Sequence, residues 1–211
     1  MSDVQHRPRS RPETLVRRRK ILDAAVEIFG SKGFAQGTLQ DIADKVGLTH
    51  AGVLHHFGSK DQLLVEVLAH RDRDDVANLE GQRVPGGLDF FRHLVRTAFE
   101  NARRRAIVRA FAVLSAEAVT AEHPGSDYFL IRYRTLRDEA LQAFRTACAE
   151  RGIEEPETIE HAAAAILAVM DGLQVQWLLD PDAVDLGKAS EFAIEAIVRA
   201  VLEPGTSPLA Q

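Results

Sequence analysis

Cysteine and long apolar runs are both scarce in this chain of 211 residues. Cys148 is the single cysteine, so an internal disulfide and a cysteine-rich metal site are excluded. No apolar run approaches the roughly 18 residues of a membrane-spanning helix, and the opening stretch MSDVQHRPRS lacks the apolar core of a secretory signal. We therefore expect a cytoplasmic protein with no membrane partner, in which Cys148 is a buried structural thiol.

Signatures of catalysis are also missing from the sequence. It contains no Gly-rich phosphate loop, no nucleophile elbow around a serine, and no His, Cys or carboxylate set at metal-ligand spacing. No pair of acids in an apolar setting indicates general acid–base chemistry. We expect neither an enzyme, nor a cofactor, nor a metal site.

Positive charge is concentrated at the front of the chain. Residues 1–60 hold ten Lys or Arg side chains and six carboxylates, a balance of +4, and the total of −5 leaves −9 for residues 61–211. Seven of the ten cations lie within the first twenty residues. This composition suits a basic arm over residues 1–14 that follows a phosphate backbone, although a solvated leader has the same composition.

Proline positions and apolar spacing together predict the fold class. Proline collects at segment boundaries, because it costs a helix interior about 3 kcal/mol. Between the prolines, apolar residues recur every three or four positions, and no segment alternates with the period of two that a strand shows. The sequence thus predicts an all-α protein of about nine helices, with a flexible tail over residues 204–211. The expected helices cover residues 13–30, 38–46, 49–56, 60–82, 87–104, 106–121, 127–151, 157–179 and 189–203.

The stretch TLQDIADKVGLTHAGVLHHF, which begins at Thr38, predicts a helix-turn-helix. Thr38 can cap one helix, with Asp41 reaching back as in a capping box. Gly47 can adopt the left-handed conformation that ends this helix, and Thr49 can cap a second short helix. Two helices joined by so tight a turn are typical of proteins that place the second helix in the DNA major groove.

A longer segment, RRRKILDAAVEIFGSKGFAQGTLQDIADKVGLTHAGVLHHFGSKDQLL from Arg17 to Leu64, resembles the N-terminal domain of the TetR/AcrR family of transcriptional regulators. The matching elements stand in order: ILDAAVEIF, the pair GF, T..DIA, VGLT, HHF and SK. The resemblance implies a three-helix DNA-binding domain over residues 15–58 and a helical effector-binding and dimerisation domain over residues 59–203.

The resemblance also implies a set of DNA-contacting residues. They are, in chain order, Thr38 (phosphate), Thr49 (phosphate), His50, Ala51 and Gly52 (base edges), Leu54 (a sugar or a thymine methyl), His55 and His56 (groove wall) and Lys60 (phosphate). The chain departs from the family at two of these positions, because Leu54 stands where a phosphate-binding tyrosine is usual and Ala51 where glycine is usual. A zinc site on the three histidines is the alternative, although histidines five positions apart lie on different helix faces.

The last two expected helices are apolar on more than one side, which predicts a homodimer. Residues 157–179 carry a heptad-like seam, and the helix over 189–203 has polar residues mainly along one stripe. The alternative is that both helices are internal core. The expected interface residues are Ile166, Met170, Leu173, Phe192, Ile197 and Val201.

Most of the aromatic residues fall in the middle helices, which surround an effector cavity in the family that the segment resembles. Such rings are more often core than pocket. The expected lining residues are Phe90, His93, Phe111, Tyr128, Tyr133, Met170 and Trp177. Because aromatics are few in number even on the pocket helices, and these helices show no acidic cluster, we expect a modest, mainly apolar effector rather than a large cationic one.

Taken together, these features favour a sequence-specific DNA-binding transcriptional regulator, a ligand-responsive repressor that acts as a homodimer on a palindromic double-stranded operator. A helical interaction module that has lost sequence-specific binding is the competing hypothesis, and Leu54 is the residue that supports it.

Overall fold

The computed structural model describes residues 11–77, 85–154 and 156–203, and all regular structure in these ranges is helical. The helices are α1 (Arg11–Gln36), α2 (Leu39–Val46), α3 (His50–Phe57), α4 (Lys60–Ala77), α5 (Gly87–Asn101), α6 (Arg105–Glu117), α7 (Ser126–Ala149), α8 (Ile159–Leu179) and α9 (Leu186–Leu202). The prediction of an all-α fold is confirmed. Most of the expected basic arm and the whole expected tail lie outside the described residues, and α1 already begins at Arg11.

Two helix boundaries differ from the sequence prediction for local reasons. Helix α9 begins three residues early, because the carboxylate of Asp185 accepts a hydrogen bond from the Lys188 backbone N–H at 3.1 Å and caps it. Helix α1 extends to Gln36 but is broken at Gly33, whose φ of 72° and ψ of 175° are not helical. Only glycine adopts such a conformation without strain.

The core of the first four helices continues into the rest of the molecule. Phe29, Ile42, Val53 and Leu64 are buried in one cluster with residues of α6 and α7. Helix α1 lies so close to α6 that a Cβ on Gly30 would stand 3.0 Å from the backbone nitrogen of Ala110. Helix α1 is therefore packed directly on α6 and ties the first four helices to the rest of the molecule.

A second buried cluster joins α5, α7, α8 and α9. It contains Cys148, which is buried as predicted. It also contains Ile166, Met170 and Val201, with Ile197 packed against it, while Leu173 packs against a third cluster. Ile166, Met170 and Val201 are buried in their own chain, so their prediction as interface residues is corrected. Ile197 and Leu173 are only partly buried and stay predicted interface residues. The heptad-like seam of α8 is core.

Phe192 is the member of the predicted interface that points outward, with 76% of its surface exposed. Leu179 and Val175 of α8 are exposed too, at 82% and 45%. Small residues share these exposed faces: Ala164, Ala168, Ala196 and Ala200. Together these seven residues are called the outer apolar face below.

Helix α8 is long and apolar enough to cross a membrane by length and composition alone. A single helix of this kind is weak evidence for a membrane span. One side of α8 is occupied by core contacts to α7 and α9, as expected for the central helix of a globular domain.

Candidate nucleic-acid interface

The start of α2 is fixed by the predicted capping box. The Asp41 backbone N–H donates to Thr38 Oγ1 at 3.0 Å, and the Thr38 backbone N–H donates to Asp41 Oδ2 at 3.0 Å. The Thr38 hydroxyl also donates to Asp41 Oδ2, at 2.8 Å. The other carboxylate oxygen accepts from Lys32 Nζ at 2.7 Å. Asp41 thus holds the turn between α1 and α2 to the helix that follows.

These bonds lower the pKa of Asp41 to about 2, the hydrogen bond from Lys32 contributing most. A carboxyl with a depressed folded pKa stabilises the protein above its ordinary value of 3.8, and this stabilisation is lost as the pH falls toward 2. We expect Asp41→Asn to lower the midpoint of thermal unfolding at neutral pH, and the difference from wild type to shrink below pH 3.8. Unfolding scans across this range test it, with Asp44→Asn as the control. A difference that persists unchanged at the acid end would contradict this linkage.

The turn of the helix-turn-helix is the predicted one. Gly47 has φ 66° and ψ 36°, and its N–H donates to carbonyls at the end of α2. The Leu48 N–H donates to the Ala43 carbonyl at 2.9 Å. Thr49 Oγ1 then accepts from the Gly52 N–H at 3.1 Å and caps α3. The hydroxyl proton of Thr49 can donate to a phosphate oxygen while this cap stays intact.

Helix α3 is anchored by one face and presents the other to solvent. Val53 and Phe57 are buried, and Leu54 packs half-buried against the same core. His50, Ala51 and His55 are exposed, and Gly52 and His56 are half-buried. The structure therefore brings the predicted base-reading residues to one accessible surface, whereas Leu54 contributes to packing.

Two of the three histidines of α3 pack on each other rather than converging with other ligands. The rings of His55 and His56 meet edge to face at 5.8 Å between centroids. Within the described ranges, no group of three His, Cys, Asp or Glu side chains lies close enough to hold a metal ion.

Lys60, at the start of α4, folds back over the last turn of α1. Ser59 caps α4 by accepting from the Gln62 N–H at 3.1 Å. The Lys60 ammonium lies 4.3 Å from the centroid of the Phe34 ring and 3.4 Å from the Ala35 carbonyl oxygen. Partial burial lowers the pKa of Lys60, against the opposing effect of the carboxylates of Asp61 and Glu117. Its charge is thus held at a defined place beside the helix-turn-helix.

Arg18 is a structural residue that sequence reasoning assigned to the basic front end. Its guanidinium donates to the His56 carbonyl oxygen and to the Glu66 carboxylate, and lies 4.2 Å from the centroid of the Phe57 ring. One side chain thereby ties α1 to the end of α3 and to α4. The only sequence signal was its place one turn before the buried residues Ile21 and Leu22.

Helices α5 to α8 surround a cavity of about 710 Å³. Of the predicted lining residues, six are present: Phe90, His93, Phe111, Tyr128, Tyr133 and Met170. Trp177 lies elsewhere, in the third cluster with Val108 and Leu186. The sequence prediction placed it in the cavity wall, but its position on the α8 seam fits burial against α6 and α9 as well as it fits the cavity.

One wall of the cavity is polar. The Tyr133 hydroxyl donates to Asp171 Oδ2 at 2.6 Å, and burial, with help from this bond, raises the pKa of Tyr133 to about 12. Arg132 and Glu139 line the same cavity, and burial raises the pKa of Glu139, against the opposing charge of Arg132. The sequence prediction of no acidic cluster did not anticipate these two carboxylates, which come from two different helices.

Comparison with known proteins gives matches over nearly the whole chain. The family model described as "Bacterial regulatory proteins, tetR family" matches residues 21–67, and "BetI-type transcriptional repressor, C-terminal" matches residues 89–203. The regulator BetI of Rhizobium meliloti is 30% identical over 188 residues, which cover 87% of this chain and 84% of BetI. The regulator TtgR of Pseudomonas putida is 30% identical over 193 residues, which cover 84% of this chain and 88% of TtgR.

Solved structures show the same fold. The SmeT–triclosan complex superposes with a TM-score of 0.72 at 22% identity, covering 93% of this chain and all of the other. SmeT solved as the repressor of the Stenotrophomonas maltophilia multidrug efflux pump SmeDEF gives a TM-score of 0.69 at 21% identity, covering 92% and 94%.

Proposed function

The chain belongs to the TetR family of DNA-binding transcriptional regulators, and we propose that it is a ligand-responsive repressor that binds a palindromic operator as a cytoplasmic homodimer. The observation that carries the proposal is the exposed surface of α3, which follows the capped turn. Lys60 lies beside the helix-turn-helix, and residues 1–60 carry a net positive charge. The family to which the chain belongs consists of regulators rather than enzymes.

The proposed DNA contacts divide into positioning and reading groups. His50, Ala51 and Gly52 at the start of α3 meet base edges. Their neighbours contact the backbone and groove wall: Thr38, Thr49, Leu54, His55, His56 and Lys60. Thr49 is the better phosphate donor of the two threonines, because the hydroxyl of Thr38 already donates to Asp41. Leu54, half-buried, offers at most an apolar edge to a sugar or a thymine methyl.

Lys60→Ala and His50→Ala test this division. We expect Lys60→Ala to weaken binding to all duplexes alike, and to reduce the slope of log K against log salt by about one, because one phosphate contact is lost. His50→Ala should instead change which sequence binds best. Titrations on duplexes selected from a random pool give both readouts.

Arg92→Ala is the matched control for charge, because it removes one exposed cation from α5. It should leave the salt slope unchanged. Identical behaviour of the Lys60 and His50 variants would refute the assigned roles, and binding that ignores sequence would favour the interaction module.

The cavity is the proposed effector site. Rings of Phe111, Tyr128 and Phe129 meet edge to face along one part of its wall, while the hydrogen-bonded pair of Tyr133 and Asp171 supplies polar groups on another part. A mainly apolar ligand with one polar end fits this division. Triclosan, which is bound in the SmeT structure, is a reasonable first probe.

The outer apolar face is the proposed dimer interface. Its small residues on α8 and α9 allow close helix approach, and Phe192 and Leu179 supply apolar area that a second copy would bury. The two reading helices would then meet successive major grooves.

A further inference from the structure

The turn after Gly33 is held by a carboxylate from a helix far along the chain. The left-handed backbone of Gly33 interrupts α1, and the Phe34 N–H donates to Glu117 Oε2 at 2.7 Å. Glu117 is the last residue of α6. A Cβ on Gly33 would stand 2.1 Å from Glu117 Oε1, so the glycine leaves the space that the carboxylate occupies.

Phe34 is in turn the surface on which Lys60 lies. The ammonium of Lys60 is 4.3 Å from the centroid of the Phe34 ring. The ring itself packs against Phe29 and His123, at 5.7 Å and 5.3 Å between centroids. The hydrogen bond from the Phe34 N–H to Glu117 therefore holds the ring on which the Lys60 ammonium lies.

His123 lies next to Glu117 in the interior. Its side chain is 7% exposed, and its Nε2 lies 3.8 Å from Glu117 Oε2. Its Nδ1 accepts the Gly125 N–H at 3.1 Å, so Nε2 is the ring nitrogen that faces the carboxylate. At 3.8 Å this contact is beyond hydrogen-bonding distance, so the hydrogen bond from the Phe34 N–H is the one that orients the carboxylate.

We propose that Glu117 is a positioning residue for DNA binding, which acts through the Phe34 backbone and ring to hold the Lys60 ammonium where it meets a phosphate. The proposal rests on the proposed function for the Lys60 contact itself. The expected loss of affinity is opposite to a pure charge effect. A carboxylate near DNA repels phosphate, so removing Glu117 would strengthen binding if it acted only through its charge.

The test is a salt titration of the full chain on a duplex selected with the wild-type protein. We expect Glu117→Ala to bind about tenfold more weakly, with a salt slope reduced by about one, as for Lys60→Ala. Glu117→Gln should restore most of the affinity, because its amide oxygen can still accept the Phe34 N–H. The double variant of Glu117→Ala and Lys60→Ala should bind no more weakly than the weaker single variant, since both remove the same contact.

Two further variants separate this role from loss of folding. Phe34→Leu keeps the backbone N–H but removes the ring under Lys60, and should reduce the salt slope in the same way. Asp138→Ala removes an exposed carboxylate from α7 and should change neither affinity nor slope. Thermal unfolding of each variant is measured alongside, and if Glu117→Ala is unfolded, Glu117→Gln and Phe34→Leu decide the result.

The outcomes separate failure of the proposed role of Glu117 from failure of the proposed DNA-binding function. The inference is overturned if Lys60→Ala behaves as expected while Glu117→Ala binds as tightly as wild type or more tightly, or if the losses of the two single variants multiply in the double variant. If the wild-type protein selects no duplex, the proposed function fails and this inference fails with it.

Discussion

Phe192→Asp is expected to convert the protein from dimer to monomer and to weaken operator binding by at least about 100-fold, because two linked reading heads gain a factor of this order over one. Phe192 is 76% exposed on α9, a large area for an aromatic side chain to present to water. Burying a carboxylate in its place, against an apolar partner surface, carries a desolvation penalty of several kcal/mol. Sedimentation equilibrium measures the mass, and titration of a full inverted repeat measures the affinity.

The control for this prediction is Val16→Asp, which places the same charge at a residue 58% exposed on α1, a helix that packs on α2, α4 and α6 rather than on α8 or α9. It should leave the mass at that of a dimer. A dimer that survives Phe192→Asp would place the interface on another surface, and a wild-type monomer would remove the proposed dimer altogether.

Arg18→Ala is expected to lower the free energy of unfolding by about 2 kcal/mol, because charge-assisted hydrogen bonds contribute about 1.5–3 kcal/mol each and partial exposure reduces this. The substitution leaves the His56 carbonyl and the Glu66 carboxylate without the guanidinium that joins them. It also removes the cation above the Phe57 ring. For a chain of this size the midpoint of thermal unfolding should fall by about 4–8 °C.

Lys20→Ala is the matched control, since Lys20 is an exposed cation two residues further along α1. It should change the midpoint by about a degree at most, in line with the small effect of exposed charges. Arg18→Lys should recover only part of the loss, because an ammonium cannot make the forked contact to two acceptors in the same geometry. Equal stability of the Arg18→Ala and Lys20→Ala variants would show that Arg18 is not a structural tie.

Local features of the helix-turn-helix were predictable because their interactions span three or four residues. Thr38 and Asp41 cap each other, Gly47 ends α2, and Thr49 caps α3, all as the sequence indicates. Each of these contacts depends on residue type and short spacing, which a single sequence displays completely.

Long-range partners could not be predicted in the same way. Arg18 and Glu66 are 48 residues apart, and Phe34 and Glu117 are 83 apart. The place of Arg18 one turn before Ile21 and Leu22 puts it on the buried side of α1 but identifies neither of its partners. These contacts depend on how α1 packs against α4 and α6, and therefore on the tertiary fold.

The direction of an apolar face was the other source of error. The seam of α8 was predicted to meet a second copy, but Ile166 and Met170 are buried in their own chain. A helix that is apolar on two sides gives no sign in its periodicity of which side faces which partner. In the cavity, Glu139 and Asp171 come from α7 and α8, so a search within single helices could not place these two carboxylates in one cavity.

The central claim is that this chain reads a two-fold DNA sequence, and selection of bound duplexes from a random pool at about 0.15 M salt tests it most directly, because salt screens nonspecific phosphate contacts. The account predicts enrichment of an inverted repeat whose half-sites lie about one helical turn or a little more apart. Failure to enrich any sequence, or enrichment of a single unrepeated motif by folded wild-type protein, would contradict it.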